Sequence, residues 1–155
     1  MNNDAVMENR ILGIDYGTRR IGVAVSDPLG ITARGLTVVD NAESAIREIG
    51  KIADEYGVGM IVVGMPLNLK GEKGAKAREV EDFAGRLRSE LRRTVVCYDE
   101  RFTTRSAHQS LRDAGIRKSQ RRSKERIDMI ASALILQNYL DLARSERERK
   151  AATEE

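Results

Sequence analysis

The stretch RILGIDYGTRRIGVAVS, Arg10–Ser26, sets the frame of the chain. Two apolar runs rich in β-branched residues, Arg10–Tyr16 and Ile21–Ser26, are joined by Gly17-Thr18-Arg19-Arg20. A connection this short makes the strands pair as an antiparallel hairpin. Beyond it, a turn containing Asp27-Pro28 and Gly30 leads to a third run, Thr32–Val39, and the three make a meander. From Ala42 the apolar spacing becomes helical, through Ala45, Ile46, Ile49, Ile52, Ala53 and Tyr56, with Gly57 as the stop. Met60–Gly64 is apolar on both faces, as a central parallel strand covered by helices must be. After the loop Pro66–Gly74 come a helix with Ala77, Val80, Phe83, Ala84, Leu87 and Leu91 along one stripe and a fifth strand, Thr94–Tyr98. Thr103 or Thr104 can cap a further helix that ends at Gly115, and Ile127–Leu142 reads as a largely buried last helix.

The 155 residues, 41% apolar and 33% charged with 13 Gly and 2 Pro, are the composition of one folded domain, which excludes collagen-like repeats and wholesale disorder. We assign residues 1–143 to that domain and 144–155 to a charged tail that is either a frayed helical extension or disordered. The longest apolar stretch, Met129–Leu136, is broken by Ser132 and falls far short of the roughly 18 residues a bilayer span needs. MNNDAVMENR has no apolar segment before a small-residue cleavage site, so the expected compartment is the cytoplasm, without membrane partners. With one Cys and one His, neither an intramolecular disulfide nor a His-rich zinc site can be built, and any metal chemistry must rest on carboxylates.

Three antiparallel strands followed by alternating helices and parallel strands predict a mixed α/β sheet with helices on its faces. The order matches the ribonuclease H-like fold. Ligand sites in such sheets collect at the carboxyl ends of strands. Asp15 stands there on the first strand, and Asp99 and Glu100 on the fifth, which the topology makes parallel to the first. Read alone, Asp15 is equally a turn residue bonding the hairpin backbone, and Asp99 and Glu100 with Arg101 a surface ion pair. Asp128 is harder to explain away, because its helix face also carries Ala131, Ser132, Ile135 and Tyr139 and packs inward. A carboxylate so placed needs a partner or a metal, although an acidic residue near a helix N-terminus is also favoured by the dipole. Three acidic residues at one sheet edge suit two-metal phosphodiester cleavage with Mg2+ or Mn2+.

One segment is strongly basic. In RKSQRRSKER, Arg117, Lys118, Arg121, Arg122, Lys124 and Arg126 stand against Glu125 alone. Such a run is either a solvated face or a phosphate-contacting patch, and its place directly before the Asp128 helix would hold an anionic polymer over the acidic cluster. Arg20, Arg101 and Thr104 are further candidate contacts to nucleic acid, Thr104 as a helix cap beside Glu100 that could meet a phosphate. Asn68 and Gly71 in the loop after the fourth strand read either as a plain turn or as the rim of the site. Cys97 is expected to be a small buried hydrophobe, and His108 to point to solvent or to assist proton transfer.

DYGTRRIGVAVSD (Asp15–Asp27), VGMPLNLKG (Val63–Gly71), DERFTT (Asp99–Thr104) and IDMIASALILQNYL (Ile127–Leu140) together resemble the YqgF/RuvX family of Holliday junction resolvases, also described as pre-16S ribosomal RNA nucleases. Phe102 stands where that family often has Leu, and Ser132 where Ala is usual. The resemblance implies a ribonuclease H-like fold, a metal-binding catalytic triad at Asp15, Glu100 and Asp128, and a bacterial housekeeping role. Its implied partner is structured nucleic acid, either precursor rRNA or branched DNA. Junction cleavage would require two sites facing two strands and hence a homodimer, whereas trimming an rRNA end can be done by a monomer. Two other classes compete: a phosphotransferase related to sugar kinases and actin, whose phosphate loop also opens on an Asp-x-Gly hairpin, and a non-catalytic nucleic-acid-binding factor.

Overall fold

The computed structural model describes residues 9–68, 70–100 and 121–154, the backbone alone for 121–123. Its strands are β1 (Arg10–Tyr16), β2 (Arg20–Ser26), β3 (Ala33–Asp40), β4 (Val58–Met65) and β5 (Thr94–Asp99), and its helices are α1 (Ala45–Glu55), α2 (Ala75–Leu91) and α3 (Arg121–Thr153). The expected five-stranded mixed sheet is what forms, in the order β3-β2-β1-β4-β5. The hairpin and β3 are antiparallel, while β1, β4 and β5 run parallel. The carboxyl ends of those three therefore share one edge. Around the hairpin turn, a side chain at Gly17 would strike the Arg20 carbonyl, and Asn41, just past β3, donates its Nδ2 to the Gly17 carbonyl at 2.9 Å.

Alternation along each strand sorts the side chains onto two faces. Leu12, Ile14, Ile21, Val23, Val25, Ile61 and Val63 point to one face, where Ile46, Ile49 and Ala53 of α1 and Val80, Phe83 and Leu87 of α2 complete the main core. Ala24 and Val62 point to the other, where Ile135, Leu136 and Leu140 of α3 cover them. Gly57, at φ 62°, ends α1 where a stop is expected. Cys97 is half-buried against the main core, short of the full burial expected.

The last helix departs most from expectation. Among the described residues it spans Arg121–Thr153, where the apolar pattern predicts only Ile127–Leu142. Arg121–Arg126 thus belongs to the helix and is not a separate segment preceding it. The Ser, Lys, Glu, Arg and Ala residues on both sides of the apolar stretch contain no Gly or Pro and propagate a helix once packing has nucleated it. Of the two readings of the tail, helical extension is the one seen, helped by the Asp141–Arg144 pair at 3.5 Å. The helix expected between Thr103 and Gly115 lies outside the described residues. So do Arg101, Thr104, His108, Arg117 and Lys118.

Candidate active site

Glycine decides how near α3 comes to the sheet. A Cβ on Gly13 of β1 would lie 2.7 Å from the Leu136 Cβ, and one on Gly35 of β3 would lie 3.0 Å from the Met129 Cβ. One on Gly22 of β2 would collide with the Asp128 carbonyl. Along the three strands, glycine leaves the space into which the helix backbone settles. Ser132, fully buried on α3, returns its hydroxyl to the Met129 carbonyl at 2.7 Å and so brings no unsatisfied polar group into the contact.

That approach carries Asp128 to the carboxyl edge. Asp15 is the register partner of Gly22 and, two residues beyond Gly13, shares its face. On the other flank, Gly64 follows the last β1–β4 pair, Ile14–Val63, so Asp15 and Gly64 stand side by side on neighbouring strands. The Glu100 carboxylate fills the space above Gly64: a Cβ there would be 3.1 Å from the Glu100 Cδ and 2.8 Å from the Ile135 Cδ1. One row across the sheet therefore reads Glu100 over Gly64, then Asp15, then Gly22 beneath Asp128. With neighbouring strands about 4.8 Å apart, the three acidic residues span roughly two strand spacings. Among the described residues, no three His, Cys, Asp or Glu side chains are gathered tightly enough to close around one ion.

Asp128 has a definite partner. Arg20 Nε donates to Asp128 Oδ2 at 2.9 Å, joining residues 108 positions apart, and each side chain is about a quarter exposed. Arg20, expected to contact nucleic acid, thus holds a carboxylate of the acidic row. On the same face of the sheet, Tyr98, the register partner of Gly64, and Tyr139 meet edge to face with ring centroids 6.0 Å apart. Burial pushes both hydroxyls above the usual tyrosine range, helped by Asp99 at Tyr98 and by Glu146 at Tyr139, against Arg147. Both phenols stay neutral and act as packing. Of the basic segment, Lys124 is exposed on the first turns of α3, and Arg121 and Arg122 open the helix.

The loop after β4 stands at the same edge. Asn68 Oδ1 accepts the N–H groups of Lys70 at 2.9 Å and Glu72 at 2.8 Å, and Gly71 takes φ 80°. The side chain is spent on folding its own turn, as the plainer sequence reading has it.

The model of the RuvX family, described as Holliday junction resolvase, matches residues 9–142. This chain belongs to the RuvX family. A relative from Ruminiclostridium cellulolyticum is 42% identical over 135 residues, covering 85% of this chain and 94% of its own length, and is named "Putative pre-16S rRNA nuclease". One of the same name from Geobacillus kaustophilus is 44% identical over 139 residues, 87% of this chain and 99% of that one. Among solved structures, T. thermophilus RuvC in complex with a Holliday junction substrate shares the fold at TM-score 0.54 and 16% identity, over 88% of this chain and 95% of that one.

Within this RuvX-family chain, sequence reading missed Gly22 and Gly64. Both stand in strand runs where glycine weakens pairing, and that was the available signal: a strand glycine marks a bulge, a bend or a close approach. Reading it required the strand register, which brings Asp15 between them.

Proposed function

We propose that the protein is a metal-dependent endonuclease that processes the 5′ end of precursor 16S rRNA, with Asp15, Glu100 and Asp128 as its catalytic, metal-binding carboxylates. The single observation supporting this most is the convergence of those three residues, from β1, the end of β5 and α3, on one row at the carboxyl edge of the parallel strands. The relatives' name supports the rRNA substrate. The donor set fits Mg2+ or Mn2+, because it consists of carboxylate oxygens and Cys97 lies on the opposite face of the sheet. Such ions keep several waters and take substrate phosphate oxygens as ligands, so three carboxylates spread along a row suffice. Divalent ions bound there supply Lewis acidity toward the scissile phosphate and the attacking water.

The chain's own groups do the rest. The glycine row sets the carboxylate spacing, and Ile135 beside Gly64 keeps the floor of the row apolar. Arg20, Arg101, Thr104 and the basic residues Arg117, Lys118, Arg121, Arg122 and Lys124 would neutralise phosphates of the bound strand. A second substrate, the four-way DNA junction, is favoured by the family model's description, and would bring a homodimer with it.

Single-turnover assays of Asp15→Asn, Glu100→Gln and Asp128→Asn with both substrates test the proposal. Amides keep the volume but bind divalent ions poorly, so each variant is expected to keep its circular dichroism spectrum. Each should lose more cleavage than the roughly 10–100-fold typical of groups one shell behind a metal ligand. Wild-type rates in all three would reject the carboxylate assignment, and cleavage of junctions but not precursor rRNA would reject the substrate.

A further inference from the structure

Arg20 is placed where a cation belongs. Its Nε lies 2.9 Å from Asp128 Oδ2, at the carboxyl edge of the row that also holds Asp15 and Glu100. The pair is not deeply buried, with side-chain exposures of 25% and 26%, and pairs that reach solvent are weak and readily exchanged. The guanidinium has five N–H donors in a planar fork that matches phosphate as well as carboxylate. Among the described residues, Arg20 forms an ion pair with Asp128 alone, although its backbone stands opposite Asp40 in the β2–β3 register.

From this geometry we infer that Arg20 is a resident counter-ion that occupies the divalent cation's place on Asp128 and moves to a substrate phosphate when the site is loaded. The inference rests on Asp128 being a metal ligand, as proposed above. In the free protein Arg20 balances the acidic row. When a divalent ion takes Asp128, the like charge of the ion drives the guanidinium away, and a phosphate arriving with the substrate receives it. Arg20 is thus a positioning residue that couples two binding events: nucleic acid that holds Arg20 removes a competitor for Asp128, and an ion on Asp128 frees a donor for nucleic acid. Such coupling is reciprocal by linkage, so each ligand tightens the other by the same factor.

The test uses Mn2+ alone as the probe, with binding read by electron paramagnetic resonance, on the wild type, R20Q, R20K and D128N. With the competitor gone, R20Q is expected to bind Mn2+ about two- to tenfold more tightly than the wild type. R20K keeps the charge and should stay near the wild type. D128N should bind more weakly than either. A cleavage-resistant phosphorothioate RNA added to the wild type should tighten Mn2+ binding, and most of that gain should disappear in R20Q. In the unmutated protein, Mg2+ titration should move the Arg20 Nε–H resonance, a readout independent of how well any variant folds.

R20Q binding no tighter than the wild type, with D128N weakened, overturns the counter-ion role and leaves the metal-site reading standing. D128N binding Mn2+ like the wild type overturns both. An Arg20 resonance that Mg2+ leaves unmoved also rejects the exchange.

Discussion

The two faces of the sheet are built on opposite rules. Toward α1 and α2 the strands present mainly Leu, Ile and Val, and Leu12, Ile14, Ile21, Val23, Val25 and Ile61 are completely buried. Toward α3 they present Gly13, Gly22, Ala24, Gly35 and Gly64, and the helix answers with Ala131 and Ser132. The first face holds its helices off with bulk and gains hydrophobic stabilisation from it. The second gives up side-chain bulk at these positions so that a helix backbone can lie almost on the strands. What it gains is position: Asp128 reaches the sheet edge beside Asp15 because nothing larger than hydrogen stands on Gly22.

If that division holds, damage to the two faces should separate stability from activity. Leu12→Ala, on the bulky face, removes a fully buried side chain among the core residues of β1, α1 and α2. A loss of about 2–5 kcal/mol is expected, a fall in melting temperature of roughly 5–15 °C for a chain of this size. Cleavage per folded molecule should be nearly unchanged, because Leu12 points to the face of β1 opposite the one that carries Asp15 and the row. Thermal melts paired with active-site-normalised rates would show it. A rate that collapses while the protein is still folded would mean that the faces are not independent.

The converse comes from the thin face. Gly22→Ala sets a methyl group against the Asp128 backbone carbonyl, an atom that cannot rotate away, and α3 must shift to relieve the contact. Overpacking of this kind costs about 1–3 kcal/mol, less than Leu12→Ala, yet the shift displaces Asp128 from Asp15. Cleavage should fall by more than the stability change explains, since misplacement by about 1 Å costs on the order of a hundredfold. Gly85→Ala is the control. It lies within α2 with nothing within 4 Å of the new methyl group, so it should stabilise by up to about 1 kcal/mol and leave cleavage alone. If Gly22→Ala behaves like Gly85→Ala, the glycine row does not position the helix.

The same contrast separates what sequence could and could not disclose. The bulky face was legible because apolar alternation and helical stripes depend on neighbours a few positions away, and the five strands and their order follow from them. Topology put Asp15 and the pair Asp99 and Glu100 at one edge and helical periodicity put Asp128 on an inward face, while the choice of Glu100 over Asp99 came from the family resemblance. The thin face was opaque, because a strand glycine carries no information until the register reveals what stands over it. The Arg20–Asp128 pair was not legible because its partners stand 108 positions apart. The N-terminal end of α3 was misjudged and its C-terminal end left open because Arg121–Arg126 and the tail carry charges where an apolar stripe is the usual sign of a helix. Their helix-forming composition and continuity with a packed centre extend it instead.

The smallest effect concerns how the thin face is held from outside, at the β2–β3 turn. Gln137 of α3 donates Nε2 to the Ile31 carbonyl and accepts the Ala33 N–H, both at 2.9 Å, so the turn anchors the helix. The turn in turn depends on Asp27, whose carboxylate accepts the N–H groups of Thr32 at 2.8 Å, Ile31 at 2.7 Å and Leu29 at 3.2 Å. Those bonds, the one from Thr32 foremost, hold the Asp27 carboxyl below the ordinary aspartate range. A carboxyl depressed in the folded state contributes stability that is fully present above its unfolded pKa, near 3.9, and disappears as pH falls through the lower folded value. Asp27→Asn keeps an acceptor oxygen and loses the charge. Its melting temperature should therefore lie slightly below that of the wild type at neutral pH, and the gap should close as the pH is lowered below about 4. Paired melts between pH 7 and pH 3 would measure the gap. A difference that does not change with pH would show that the Asp27 charge plays no part in holding the turn, and that α3 is held on its thin face without it.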